Sequence, residues 1–207
     1  MTMKKTNTTQ RSPLAIAVLA LLTEEPMHPY RIQQLIKERG KDEVINVRQR
    51  TNIYQTIDRL LRDGLISVRE TARETGKPDR TIYEATDEGR GVLAQWLREI
   101  LSTPCEEFPE FPVAVSFAPM LTSEDTTKQL ETRLHALEQE LGRLDSLFAT
   151  HKDVIPRLFM LEMEYKRAML VAELEWVGSV VMDLRTGALT WNDDWLREIT
   201  KQFESRG

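Results

Sequence analysis

Between residues 48 and 100 the spacing of apolar side chains changes period twice, and few folds accommodate that. Ile53, Ile57, Leu60 and Leu61 recur at helical spacing over 48–63, and Gly64 follows where a helix commonly ends in the left-handed region. Ile66 and Val68 then alternate with polar neighbours, residues 75–79 form a Gly- and Pro-containing turn cluster, and residues 80–85 supply a returning strand. Thr86, Asp87 and Glu88 open another helix, a cap followed by acids at its positive end. Its apolar face is Val92, Leu93, Trp96, Leu97 and Ile100.

Two further helices precede this pattern. Ser12-Pro13 is a cap followed by proline in the first turn, and Leu14, Val18, Leu21 and Leu22 carry the helix to Glu24-Glu25-Pro26. Ile32, Leu35 and Ile36 mark a second, closing near Gly40. Three helices, a hairpin and a fourth helix are the order of a winged helix-turn-helix, whose third helix enters the DNA major groove. The fold class expected for the whole chain is mostly α. Aromatics are only 7% and no regular series of strand-length runs exists, which argues against a β-sandwich or barrel.

The longest unbroken apolar run, residues 14–22, is far shorter than the ~20 residues of a membrane span. No small-residue cleavage site follows it, so a signal peptide is not expected and the cytoplasm is. A single cysteine, Cys105, excludes an internal disulfide framework. The three histidines, His28, His135 and His151, have no ligand spacing, so no metal site and no cofactor are expected.

Charge divides the chain. Residues 1–101 hold 17 Lys and Arg against 14 Asp and Glu, net +3, whereas residues 102–207 hold 11 against 19, net −8. A basic half beside an acidic one points to nucleic acid on one side and solvent or a protein partner on the other. Residues 102–112 carry three prolines and three acids, which disfavour helix. The expected domains are therefore a DNA-binding winged helix over 1–101, a Pro-rich acidic linker over 102–121 and a helical dimerisation domain over 122–207.

On the third helix, Asn52, Gln55, Thr56 and Arg59 share the face opposite the apolar stripe. Amides pair with adenine, arginine with guanine, and a threonine methyl meets the thymine methyl, so this face is expected to read bases. The alternative is an ordinary solvated helix face, although those are usually rich in Glu and Lys. The hairpin offers Arg73, Lys77 and Arg80 to phosphates, partly offset by Glu70, Glu74 and Asp79.

In the second half, Leu130, Leu134, Leu137, Leu141, Leu144 and Phe148 follow a heptad seam on a helix over about 123–150. A second long helix, from Pro156 to about 184, has two apolar stripes. One is Leu158, Leu161, Tyr165, Met169, Ala172 and Trp176; the other is Met163, Leu170, Leu174, Val177, Val181 and Leu184. A helix with two apolar faces lies between two neighbours, most economically the first helix and a second copy of the chain. The expected dimer interface comprises the heptad seam together with Leu158, Leu161, Tyr165, Met169 and Trp176; an intrachain bundle is the alternative. A last short helix starting at 191–194 carries Trp195 and Ile199 inward. Met160, Met163, Met169 and Trp176 are candidates for an effector pocket, or for plain core.

Four stretches of the first half resemble the PadR family of winged-helix transcriptional regulators. They are Leu14 to Leu22 followed by Pro26-Met-His-Pro-Tyr30; Asn52-Ile-Tyr-Gln-Thr-Ile-Asp-Arg-Leu60; Asp63-Gly-Leu-Ile66; and Gly76-Lys-Pro-Asp-Arg-Thr-Ile-Tyr83 with Thr86-Asp-Glu-Gly89. Residues 108–121, 156–165 and 173–176 resemble the helical C-terminal domain of the larger, virulence-activator-like members. The chain departs from the family at Pro29, where His-Gly-Tyr is usual, and at the basic stretch 48–51 that opens the third helix. The resemblance implies a DNA-binding repressor, a homodimer on a pseudo-palindromic double-stranded operator, responsive in some members to a small-molecule effector. It also implies that His28, Tyr30 and Tyr54 reach phosphates, with Arg50 and Thr51 joining the DNA-facing set; partial core filling is the other role open to Tyr54. No catalytic motif such as G-x-S-x-G, a P-loop or H-E-x-x-H occurs, so no enzyme is expected. A winged helix that binds protein without reading DNA is the alternative function.

Overall fold

A computed structural model describes residues 11–47, 50–72 and 80–204, with the backbone alone described at 50, 51, 72 and 80. The chain divides into two compact units, Met1–Glu106 and Glu107–Gly207.

The first unit is assembled around α1 (Pro13–Glu24). Ser12 caps it, its Oγ accepting from the Ala15 N–H at 3.2 Å. Seven of its residues are buried, among them Ala15, Ala17 and Leu19, which the four-residue stripe left out. A helix apolar all round sits at the centre of a core, and α1 is touched by α2 (Pro29–Glu38), α3 (Arg50–Arg62), α4 (Asp87–Ser102) and the hairpin. Ile32, Leu35 and Ile36 of α2 and Ile53, Ile57 and Leu60 of α3 complete that core. Leu61, expected on the same face of α3, is exposed instead. It lies 100° from Leu60 around the helix, beyond the edge of the buried stripe.

Gly64 at φ 73° ends α3 in the left-handed region. The hairpin pairs β1 (Ile66–Ala72) antiparallel with β2 (Arg80–Ala85), Val68 opposite Tyr83, with a bulge between Val68 and Glu70. The expected turn at 75–79 lies outside the described residues. Met27 adds a one-residue bridge on the outer edge of β2, exchanging both backbone hydrogen bonds with Tyr83 (3.0 and 3.1 Å). Thr86 fastens α4 to this corner. Its Oγ1 accepts from the Gly89 N–H at 3.0 Å and donates to the Gly64 carbonyl at 2.8 Å. Gly89 must be small, because a Cβ there would stand 2.0 Å from the Leu65 carbonyl oxygen. Three helices, a hairpin and a fourth helix in this connectivity form a winged helix-turn-helix.

The second unit contains α5 (Glu110–Ser116), a 3₁₀ turn (Ala118–Met120), α6 (Ser123–His151), a 3₁₀ turn (Arg157–Met160), α7 (Leu161–Thr186) and α8 (Asp193–Glu204). Residues 102–121 were expected as linker, yet they hold α5 and a 3₁₀ turn. Pro112 does not prevent α5, because it falls in the first turn, where backbone N–H groups have no intrahelical partner. The second long helix starts later than Pro156, since 157–160 winds as 3₁₀ before α7 begins.

α6 and α7 pack antiparallel, burying Leu137 against Val177 and Val181, with Leu130, Leu134, Leu170 and Leu174 partly covered around them. Ion pairs flank this seam: Arg133 with Glu173, Lys166 with Glu140 at 2.8 Å, Arg167 with Asp145 at 2.6 Å and Arg185 with Glu131 at 2.7 Å. The heptad residues Leu130, Leu134, Leu137, Leu141, Leu144 and Phe148 are therefore buried or half-buried within their own chain. Within the chain, the neighbour of this seam is α7. The second stripe of α7 satisfies the seam, because both stripes belong to helices joined by a short connection. No helix among the described residues is long and apolar enough to cross a membrane.

Candidate nucleic-acid interface

α3 presents its polar side away from the core, but not all of that side reaches solvent. Gln55 and Tyr54 are exposed and Asn52 is half-buried. Thr56 is buried, its hydroxyl donating to the Asn52 carbonyl at 2.7 Å. A threonine that bonds back one turn lies along the helix surface, so the Thr56 hydroxyl is committed within α3. Arg59 is half-buried as well. Its Nη2 donates to Ser12 Oγ at 3.3 Å and its Nε is buried without a hydrogen-bond partner. Helical periodicity grouped Arg59 with the other polar residues, yet the adjacent start of α1 draws its guanidinium sideways.

Together Asn52, Gln55, Thr56 and Arg59 of α3 line a hollow of about 440 Å³ with Ser12, Pro13, Leu14, Val44 and Asn46. Sequence reading missed the contribution of 44–46, which shows no period of its own. Arg50 and Thr51 occupy the first turn of α3, with only their backbone described.

His28 caps α2, its Nδ1 accepting from the Tyr30 N–H at 3.1 Å. Pro29 fits its place, since it stands at the first helical position and needs no N–H there. Tyr30 and Tyr54 are each about half exposed, at 50% and 48%. Burial raises the Tyr83 phenol above its usual range, and the Asp58 carboxylate on the exposed side of α3 adds to that. Of the hairpin cations, Arg73 and Lys77 lie outside the described residues and Arg80 is described by its backbone in β2.

In the second unit, the outer stripe of α7 stays uncovered. Leu158, Leu161, Tyr165, Met169 and Trp176 are all exposed, Leu158 and Tyr165 by about 70%. The methionines grouped as an effector pocket do not converge. Met160 is buried, Met163 half-buried and Met169 exposed, whereas Trp176 lines a cleft bounded by α5, α6, α7 and α8 without them. Met163 and Met169 stand six residues apart on α7, about 240° around it, and so fall on its two different stripes.

Residues 18–95 match the family model described as the transcriptional regulator PadR-like family. The fold is similar to that of Bacillus subtilis PadR in complex with operator DNA, with a TM-score of 0.67 at 20% identity over 84% of this chain and 99% of that one. It is similar also to the Vibrio cholerae virulence activator AphA, with a TM-score of 0.64 at 16% identity over 84% and 98%. The PadR-like regulator BC1756 from Bacillus cereus gives 0.58 at 19% identity over 84% and 99%. No curated protein is significantly similar to the chain in sequence. Residues 18–95, the winged helix, are thus similar to the PadR-like family of transcriptional regulators, and the fold is that of the solved structures named above.

Proposed function

We propose that the chain is a sequence-specific DNA-binding repressor that acts in the cytoplasm as a homodimer on a pseudo-palindromic operator. The exposed face of α3 carries this reading: Gln55 and Tyr54 project from a helix that the winged helix is built to insert into the major groove, with Asn52 beside them. Gln55 and Asn52 read base edges. Arg59 holds α3 against the start of α1, and Tyr30, His28 and the hairpin cations Arg73, Lys77 and Arg80 approach phosphates, as do Arg50 and Thr51 at the start of α3. Bacillus subtilis PadR, similar in fold, has been crystallised with operator DNA and with p-coumaric acid. That supports DNA as the partner here and a small-molecule effector as the signal.

The uncovered stripe of α7 supports the dimer. Two copies joined through Leu158, Leu161, Tyr165, Met169 and Trp176 would bring two winged helices to one operator, and dimers of this kind read half-sites about one turn, ~34 Å, apart. The test is fluorescence anisotropy of the full-length protein against fragments of its own promoter region and against random duplex. Binding to one promoter fragment at least 10³-fold tighter than to random DNA at the same salt is expected. Equal, weak binding to both would instead favour a winged helix that serves as a protein-interaction module.

A further inference from the structure

The segment that leads from α2 to α3 has little regular structure but is firmly held. Gly40 turns in the left-handed region at φ 63°, and Lys41–Glu43 winds as a turn of 3₁₀. The Lys41 carbonyl then accepts from both the Val44 N–H, at 3.1 Å, and the Ile45 N–H, at 2.9 Å. Ile45 packs against the core of the first unit, and Val47 is buried in that core. Val44, beside the first of these anchors, is left outside at 46% exposure. Branching at Cβ restricts a valine to few rotamers, so the turn presents two methyl groups with little freedom left to lose.

The place where it presents them is the hollow along α3. Val44 shares that lining with Asn52 and Gln55 of α3 and with Pro13 and Leu14 at the start of α1. A lone exposed valine is ordinary surface. One set beside the two amides proposed to read bases meets a specific chemistry. Amides answer to the hydrogen-bonding atoms of a base edge, whereas a valine side chain offers only hydrocarbon. The major-groove edge of a base pair carries one apolar group, the C5 methyl of thymine. Thr56 lines the same hollow but keeps only 7% of its surface exposed, so Val44 offers the larger free methyl surface.

We propose that Val44 is a specificity-determining residue whose methyl groups pack against the C5 methyl of one thymine in each operator half-site, next to the base pairs read by Asn52 and Gln55. This role rests on the sequence-specific DNA binding proposed above and names a further determinant of it. Covering one methyl group in this way is worth about three- to fivefold in affinity. Cytosine lacks the methyl and purines present polar atoms on that edge, so thymine is preferred over each of the other bases.

The experiment starts from random duplexes, from which the full-length protein selects its preferred sequence over repeated rounds. Each thymine of that operator is then replaced singly by deoxyuridine, which deletes the C5 methyl and keeps the base pairing. Fluorescence anisotropy compares the natural chain with Val44→Ala and with Val44→Thr, the latter close to valine in shape with a hydroxyl in place of one methyl. At one thymine per half-site, uracil should cost the natural chain about three- to fivefold. Val44→Ala should lose a similar factor on the thymine operator and be indifferent to uracil at that position, and Val44→Thr should show a reduced thymine preference there. Uracil at the other thymines should affect all three proteins alike. A merely structural role for Val44 would instead weaken operator and random DNA together and leave the ratio of thymine to uracil affinity where it was. That result overturns the proposal, as does an operator in which no thymine loses its preference over uracil in the Val44 variants. If no sequence is enriched by the selection, the reading of the chain as a sequence-specific regulator falls, and Val44's role falls with it; an operator without a Val44-dependent thymine removes the role of Val44 alone.

Discussion

Arg59 Nη2 donates to the Oγ of Ser12 across 3.3 Å, which ties α3 to the cap of α1. The same Ser12 oxygen accepts from the Ala15 N–H, so one hydroxyl serves both a helix end and the seating of the DNA-facing helix. Ser12→Ala removes both bonds and should cost about 1–2 kcal/mol in urea unfolding. Arg59→Ala should lower affinity for operator and random DNA by similar factors, since it loosens the placement of α3 rather than one base contact. A loss confined to a single base-pair preference would return Arg59 to the base-reading set.

Base reading is expected of Gln55 and Asn52. Alanine at either should cost ~1–3 kcal/mol on the operator and flatten the preference at one base pair, with little change on random DNA. Lys77→Ala should act oppositely, weakening both DNAs and reducing the salt slope by about one. Titrations at several salt concentrations separate these outcomes.

Gly89 lies against the Leu65 carbonyl with no room for a Cβ. Gly89→Ala should destabilise the first unit by about 3 kcal/mol or more, despite alanine's higher helix propensity, because α4 must shift off the hairpin corner. Gly91, two residues further along α4, has nothing within 4 Å of an added Cβ. Gly91→Ala should be neutral or stabilising by up to ~1 kcal/mol. Thermal unfolding of the two variants side by side checks the contrast.

Assembly and folding of the second unit should respond to different residues. Tyr165→Glu and Met169→Glu, on the exposed stripe of α7, are expected to give folded monomers by sedimentation with weakened operator binding. Leu144→Ala, inside the chain at 1% exposure, should instead cost about 2–5 kcal/mol. If the Tyr165 and Met169 variants remain dimeric, the interface lies on another surface.

Hydrogen bonds from Arg143 and then Lys166 hold the Glu140 carboxyl at about 2, below its ordinary range. A depressed carboxyl adds stability above its unfolded value and loses it as pH falls through the folded one. The Glu140 contribution should therefore be complete at pH 7 and fade between about pH 4.5 and 2. Both partners are partly solvated, so Glu140→Gln should cost only about 0.5–1 kcal/mol at neutral pH. Thermal unfolding of the two proteins should converge near pH 2.

Sequence by itself determined the element order. The change from helical to alternating period at Gly64, the caps at Ser12 and Thr86, and the two apolar stripes of 156–184 are local signals, set by backbone preferences and by which positions one face of a helix repeats. They sufficed for the winged helix and for a long antiparallel helix pair. Tertiary structure decided which faces those elements spend on each other. Periodicity places Thr56 and Arg59 beside Gln55, but only the neighbouring start of α1 pulls Arg59 aside, and Thr56 turns its hydroxyl to Asn52. Periodicity draws the heptad seam of α6 without naming its occupant, and α7 of the same chain fills it, leaving Tyr165 and Met169 exposed. The cleft beside Trp176 is gathered from residues 111 to 195 and has no period at all. Burial is a property of pairs of surfaces distant in sequence, and a one-dimensional pattern records only one surface of each pair.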